Sequence, residues 1–226
     1  MSWFVSYVRS SVGAKQMMAV TGLGLLLFAL VHMIGHLCMF SGRDAYNTYA
    51  HTLQSLGALK WIARGGLLAI FVIHLVTGIR LAAANRAARP QKYVVHKLSR
   101  TSFYARSMAL TGLVILAFVV YHLAHFTLGW VQPDYFHLPD GKGRNDAYTM
   151  FVMGFESTPI LISYLVAVTL LCLHLAHGAG SWLQSLGLNH PKYAVVTDHA
   201  GKAIAGLLIV GYLAPPLAVA FNVIKL

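Results

Sequence analysis

Four histidines, His32, His74, His122 and His174, each lie deep inside an apolar stretch of membrane length. An ionisable ring is costly in hydrocarbon, and an intramembrane histidine is a functional-site hypothesis by default. Imidazole offers two chemistries there, proton relay and metal ligation. Four of them on four separate segments are the number that two bis-histidine sites require. Two haems, each ligated by imidazoles from facing helices, account for all four.

The elements that must position these rings follow from composition. The chain has 226 residues, 58% hydrophobic and only 10% charged, which is membrane rather than soluble composition. A helix needs roughly 20 residues to cross about 30 Å of hydrocarbon. Five stretches qualify, at about 17–40, 61–84, 107–130, 159–183 and 203–224. The expected fold is therefore all-α and integral to the membrane, one domain over residues 1–226. Four spans form a haem-binding core and the fifth, without an intramembrane histidine, lies beside it. The first stretch is too long for a signal-peptide core and lacks a small-x-small cleavage site. Residues 1–16 read as a short amphipathic lead-in, and the loop 43–60 has room for a short helix. The loop 131–158, with Pro133, Pro139, Gly141 and Gly143, reads as the least regular part. Pro90 stops any helix after span II, and Pro215-Pro216 should kink or break span V. Trp61, Trp130 and Trp182 sit where interfacial aromatic belts are expected. No internal repeat or low-complexity tract stands out.

Charge sets an orientation. With the N-terminus inside, the inner segments hold Arg9, Lys15, Arg80, Arg86, Arg89, Lys92, Lys97, Arg100, Arg106, Lys192 and Lys202 with one acid, Asp198. The outer segments hold Arg43, Lys60, Arg64, Lys142, Arg144 and Lys225 with Asp44, Asp134, Asp140, Asp146 and Glu156. The excess of Lys and Arg selects an N-terminus in the cytoplasm and a C-terminus outside. The basic run from Arg80 to Arg106 between two spans points to headgroups or a cytoplasmic partner, not to nucleic acid.

Depth then pairs the histidines. At about 1.5 Å per residue, His32 and His122 fall in the outer halves of spans I and III. His74 falls just to the inner side of centre in span II, and His174 in the inner half of span IV. One outer pair and one inner pair result. His36, His125 and His177 lie three or four residues further on, on roughly the same faces, and one of each neighbouring pair suffices for an iron. The bland alternative for each ring is a hydrogen-bonded core residue or a proton relay. Gly35, Gly78, Gly178 and Gly180 leave room for a porphyrin or, equally, for close helix packing. Lys15, Arg80 and Arg106 are candidates for haem propionates, or merely snorkelling cations.

These residues support a resemblance. Thr21-Gly22-Leu23 with Leu30-Val31-His32-Met33-Ile34-Gly35-His36-Leu37, then His74-Leu75-Val76-Thr77-Gly78, resemble motifs of a known family. So do Asn85-Arg86-Ala87-Ala88-Arg89-Pro90-Gln91-Lys92-Tyr93, Tyr121-His122-Leu123 and His174-Leu175-Ala176-His177-Gly178. The family is the five-span, di-haem cytochrome b membrane anchor (b558 type) of succinate dehydrogenases and fumarate reductases. The likeness runs from Ser10 to about Gly187. The chain departs from it at His36, where the family usually has Asn, and this favours His32 as the ligand. The resemblance implies two haem b groups, with His74 and His174 on the proximal iron and His32 and His122 on the distal one. It implies a bacterial inner membrane, with a flavoprotein subunit carrying FAD and an iron–sulfur subunit on the cytoplasmic face. Electrons would pass between succinate or fumarate and a membrane quinone, menaquinone being favoured over ubiquinone. His36, Tyr46, His51 and His125 are candidate quinone partners on the outer side.

Three rivals stand beside this reading. One is the cytochrome b subunit of another quinone-linked dehydrogenase or hydrogenase, against which the Asn85 to Tyr93 string argues. A second is the same anchor with a Rieske-type cluster on two Cys and two His, which Cys38 and Cys172 permit by count. The third is a colourless transporter or proton channel working through histidine relays.

Overall fold

The structure, a computed structural model, describes residues 2–88, 103–188 and 190–226. Among them are eight α-helices: α1 (Trp3–Arg9), α2 (Ser11–Leu37), α3 (Arg43–Gln54), α4 (Ala58–Ala87), α5 (Phe103–Phe126), α6 (Ala147–Glu156), α7 (Thr158–Ser185) and α8 (Pro191–Ala220). Five of them, α2, α4, α5, α7 and α8, are long and apolar enough to cross a membrane. This is the expected all-α, multi-pass architecture. Only a helix satisfies every backbone polar group within one segment of hydrocarbon, which is why such sequences take this form.

Local chemistry sets the joints. Ser10 is extended, its Oγ accepts the Gly13 amide at 3.0 Å, and α2 therefore starts at Ser11 rather than near residue 17. The lead-in is a separate seven-residue helix, with Trp3, Phe4 and Tyr7 exposed. Gly42 at φ +90° turns the chain from a 3₁₀ turn (Cys38–Ser41) into α3. At the end of α5, Gly129 takes φ +67°, and a Cβ there would fall within 2.3 Å of the Phe136 ring. Both facts require glycine. α4 ends at Ala87, before Pro90, which itself lies outside the described residues with Arg89, Lys92, Tyr93, Lys97 and Arg100.

Two expectations need correction. The stretch 131–158 is not simply irregular, because it holds α6, one of the most buried elements. Tyr148, Phe151, Val152 and Phe155 sit in the hydrophobic core with Met39, Tyr46 and Tyr164. Asp146 caps α6 by accepting the Thr149 amide at 3.1 Å. Nor does Pro215-Pro216 break span V, since α8 runs through both to Ala220. The two prolines withhold amide donors from the preceding turn, where Gly211 lies against Met33 and the Tyr212 hydroxyl donates to the Ala29 carbonyl at 2.6 Å.

The chain divides into two compact units. Unit one gathers the described residues of Met1–Phe28, Gly65–Gly112 and Leu173–Ala205; unit two gathers Ala29–Arg64, Leu113–Cys172 and Gly206–Leu226. Each of the five long helices contributes one segment to each unit. The four singled-out histidines fall two to a unit, His74 with His174 and His32 with His122.

Candidate haem-ligand pairs

In unit one, Thr21 on α2 sits against His74 on α4, with Oγ1 to Nδ1 at 3.1 Å. The Thr21 hydroxyl spends its one proton on the Met17 carbonyl at 2.6 Å. It can therefore only accept from His74, so in the neutral ring the proton sits on Nδ1. The lone pair is then at Nε2, the atom that would take a metal. The same device recurs on the other two helices. Thr111 on α5 donates to the Ser107 carbonyl at 3.0 Å and accepts from His174 Nδ1 on α7 at 3.0 Å. His74 and His174 are near enough to interact electrostatically. His177, the neighbour of His174, is close to it and to Asp198 on α8.

Unit two reaches the same outcome for His122 by another route. Gln132 Nε2 donates to the Met153 carbonyl at 3.4 Å, and its Oε1 faces His125 Nε2 at 3.0 Å. A carbonyl only accepts, so this amide cannot be turned round, and His125 must donate from Nε2. His125 Nδ1 then accepts from the Tyr164 hydroxyl at 3.1 Å. That hydroxyl, its proton committed, accepts from His122 Nδ1 at 3.4 Å. His122 thus also carries Nδ1–H and a lone pair at Nε2. Its ring lies 5.9 Å, centroid to centroid, from that of His32. Two imidazole–metal bonds of roughly 2 Å each place ring centroids about 6 Å apart, so the spacing suits one iron. His32 differs from the other three in having a second imidazole on its Nε2, that of His36 at 3.2 Å. His36 Nδ1 in turn meets the Tyr46 hydroxyl at 3.1 Å.

The remaining sequence-selected residues scatter by role. Lys15, Arg80 and Arg106 are all exposed and all belong to unit one. Of the quinone candidates, His36 and Tyr46 form one hydrogen-bonded pair, and His125 is buried with both nitrogens engaged. His51 is exposed on α3. The glycines divide too. Gly35 is filled by Tyr49, whose hydroxyl lies 2.1 Å from where a Cβ would stand, and Gly180 packs against Gly201 of α8. Those two serve helix packing. Gly178 differs, for a Cβ there meets no described atom within 4 Å. Among the described residues no three His, Cys, Asp or Glu side chains gather to hold a metal ion. A Rieske cluster needs four such ligands gathered together, whereas a haem asks the protein for only two imidazoles. Two imidazoles from facing helices are the donors that a haem would require.

Sequence reasoning missed Thr21, Thr111, Tyr164 and Gln132 as functional side chains, and it missed the repeat that contains two of them. Met18-Ala19-Val20-Thr21-Gly22-Leu23 recurs as Met108-Ala109-Leu110-Thr111-Gly112-Leu113. In each copy a histidine follows the threonine by eleven residues, His32 and His122. The second histidine of each half stands four residues before a glycine, as His74…Gly78 and His174…Gly178. The repeat escapes a composition scan because the residues between its anchor points are interchangeable aliphatics. No family model, curated protein or solved structure matches the chain.

Proposed function

We propose that this chain is the membrane-anchor and electron-transfer subunit of a succinate:quinone oxidoreductase, holding two bis-histidine b haems. His74 and His174 form one ligand pair, and His32 and His122 the other. The observation that carries the proposal is the histidine orientation: three of the four rings are fixed at Nδ1 by hydroxyls whose own protons are committed, which leaves Nε2 to ligate. A transporter relay would be served by rings able to exchange protons at both nitrogens. Bound there, the haems supply one-electron carriage between the iron–sulfur partner and membrane quinone.

The chain's own residues supply position. Thr21, Thr111 and Tyr164 hold the ring orientations, and the exposed cations Lys15, Arg80 and Arg106 belong to the unit whose propionates they would meet. His36 and Tyr46 are the quinone-binding candidates that the fold brings together. The succinate side, with its FAD flavoprotein and iron–sulfur subunits, rests on the resemblance and above all on the string from Asn85 to Tyr93. The same reading gives a bacterial inner membrane, a cytoplasmic N-terminus, and menaquinone ahead of ubiquinone. Adding succinate to the purified complex should reduce part of its b-type absorbance. Absorbance that responds to dithionite but never to succinate would assign the chain to another donor.

A further inference from the structure

The duplicated Thr-Gly step does more than accept a proton. In each half the threonine engages Nδ1 of a histidine on the next long helix, and the glycine beside it lies against the same ring. A Cβ at Gly22 would come within 3.1 Å of His74 Cε1, and one at Gly112 within 3.7 Å of His174 Cε1. The threonines are held alike. Thr21 Oγ1 lies 2.6 and 3.4 Å from the Met17 and Met18 carbonyls, and Thr111 Oγ1 lies 3.0 and 3.3 Å from those of Ser107 and Met108. One hydroxyl proton shared backward along its own helix leaves a lone pair aimed at the neighbouring helix. Gly22 also withholds a methyl that would push the His74 ring off that lone pair, whereas a methyl at Gly112 would meet His174 in ordinary contact.

We infer that Thr21-Gly22 and Thr111-Gly112 are a pair of positioning clamps, each threonine fixing the tautomer of one ligand histidine of the same haem, His74 and His174, with Gly22 also setting the ring plane of His74. The inference rests on the haem reading for its purpose but not for its geometry. Neither clamp residue touches the iron; both act through imidazole. Removing the acceptor weakens the donation from Nδ1–H, makes the imidazole a poorer electron donor and disfavours the ferric state. The two glycines separate the halves: 3.1 Å is too tight for a methyl unless His74 moves, whereas 3.7 Å is ordinary contact.

The test uses the full-length chain as purified, with haem counted first. If haem is present, redox titration of Thr21→Val and Thr111→Val should show an upward shift in midpoint potential of one b haem, the same haem in both variants. Occupancy of that haem should fall by roughly 10- to 100-fold in affinity, as for lost supports of metal ligands elsewhere. Thr21→Ser, which keeps the acceptor, should retain the wild-type potential. Gly22→Ala should perturb that haem while Gly112→Ala should not. If haem is absent, ¹⁵N-histidine spectra read the clamp directly. The rings of His74, His174 and His122 should then be in the Nδ1–H form, and those of His74 and His174 should each lose it in the matching valine variant, an outcome that supports the clamps while overturning the haem reading. Valine variants that leave both the potentials and the ¹⁵N shifts at wild-type values would overturn the clamps, whether or not haem is bound.

Discussion

At the scale of single residues, the di-haem proposal would make ligands of four of the seven buried or half-buried histidines and supports of the other three. His74→Ala and His174→Ala should each remove the same b haem and spare the other, read as a halved reduced-minus-oxidised spectrum. Retention of both haems in both variants would sink that pair. His32→Ala should remove the other haem, whereas His36→Ala should leave both, because His36 meets the His32 ring as a neighbour four residues on along α2 and not as a residue of a facing helix. Tyr164 is the hinge of the second unit's network. Tyr164→Phe leaves His122 Nδ1–H without its acceptor and His125 Nδ1 without its donor. A buried polar group deprived of its partner costs about 1–3 kcal/mol, so a clear fall in thermal stability is expected even where haem is retained. The histidines were legible in the sequence because ionisable groups in long apolar runs are conspicuous. Their supporting hydroxyls were not, because threonine and tyrosine are ordinary in membrane helices, and only the fold shows which of them face an imidazole.

At the scale of elements, the sequence located all five long helices and left room for α3 in the loop 43–60, but it misjudged the segment 131–158. Hydropathy over 20 residues is a strong signal, whereas α6 is ten residues long and sits among prolines and glycines that read as loop. What holds α6 is electrostatic as well as apolar. Asp146 binds Arg43 and accepts from Asn47 Nδ2 at 2.8 Å and from the Thr149 hydroxyl at 2.7 Å. Asn47, fully buried, accepts the Tyr148 amide at 2.9 Å. Asp146→Ala strips α6 of its cap and leaves these donors unmatched, for an expected loss of about 2–4 kcal/mol. Burial pushes the Asp146 carboxyl up, but its bonds to Arg43, Thr149 and Asn47 outweigh that and hold it at about 2. Asp140, against Arg144 at 2.6 Å, is likewise drawn down to about 2. Both lie below the ordinary carboxylate value, so their contribution is complete above about pH 4 and fades as pH falls toward 2. Acid should therefore loosen α3 and α6 first, a change that hydrogen exchange resolved by segment would detect. Uniform loss over all helices between pH 4 and 2 would contradict it. Gly35 adds a packing test, because α3 approaches α2 through Tyr49 so closely that Gly35→Ala must displace it.

At the scale of the whole molecule, the chain is two half-chains of one pattern, each a Thr-Gly-bearing helix that also carries a histidine, followed by a helix with the second histidine. Each compact unit takes one histidine from each half, so neither half completes a pair by itself. The five-span fold could be read from sequence, and so could the four histidines; the repeat could have been and was not. A partner, a quinone or a direction of electron flow would be written in surfaces and potentials rather than in residue spacing. The measurement that bears most directly on the account is a haem count: pyridine-haemochrome content per copy of the purified full-length chain, with its reduced-minus-oxidised spectrum. Two b haems per chain are expected. A colourless chain, folded and monodisperse, would contradict it and return the four histidines to a proton-relay role.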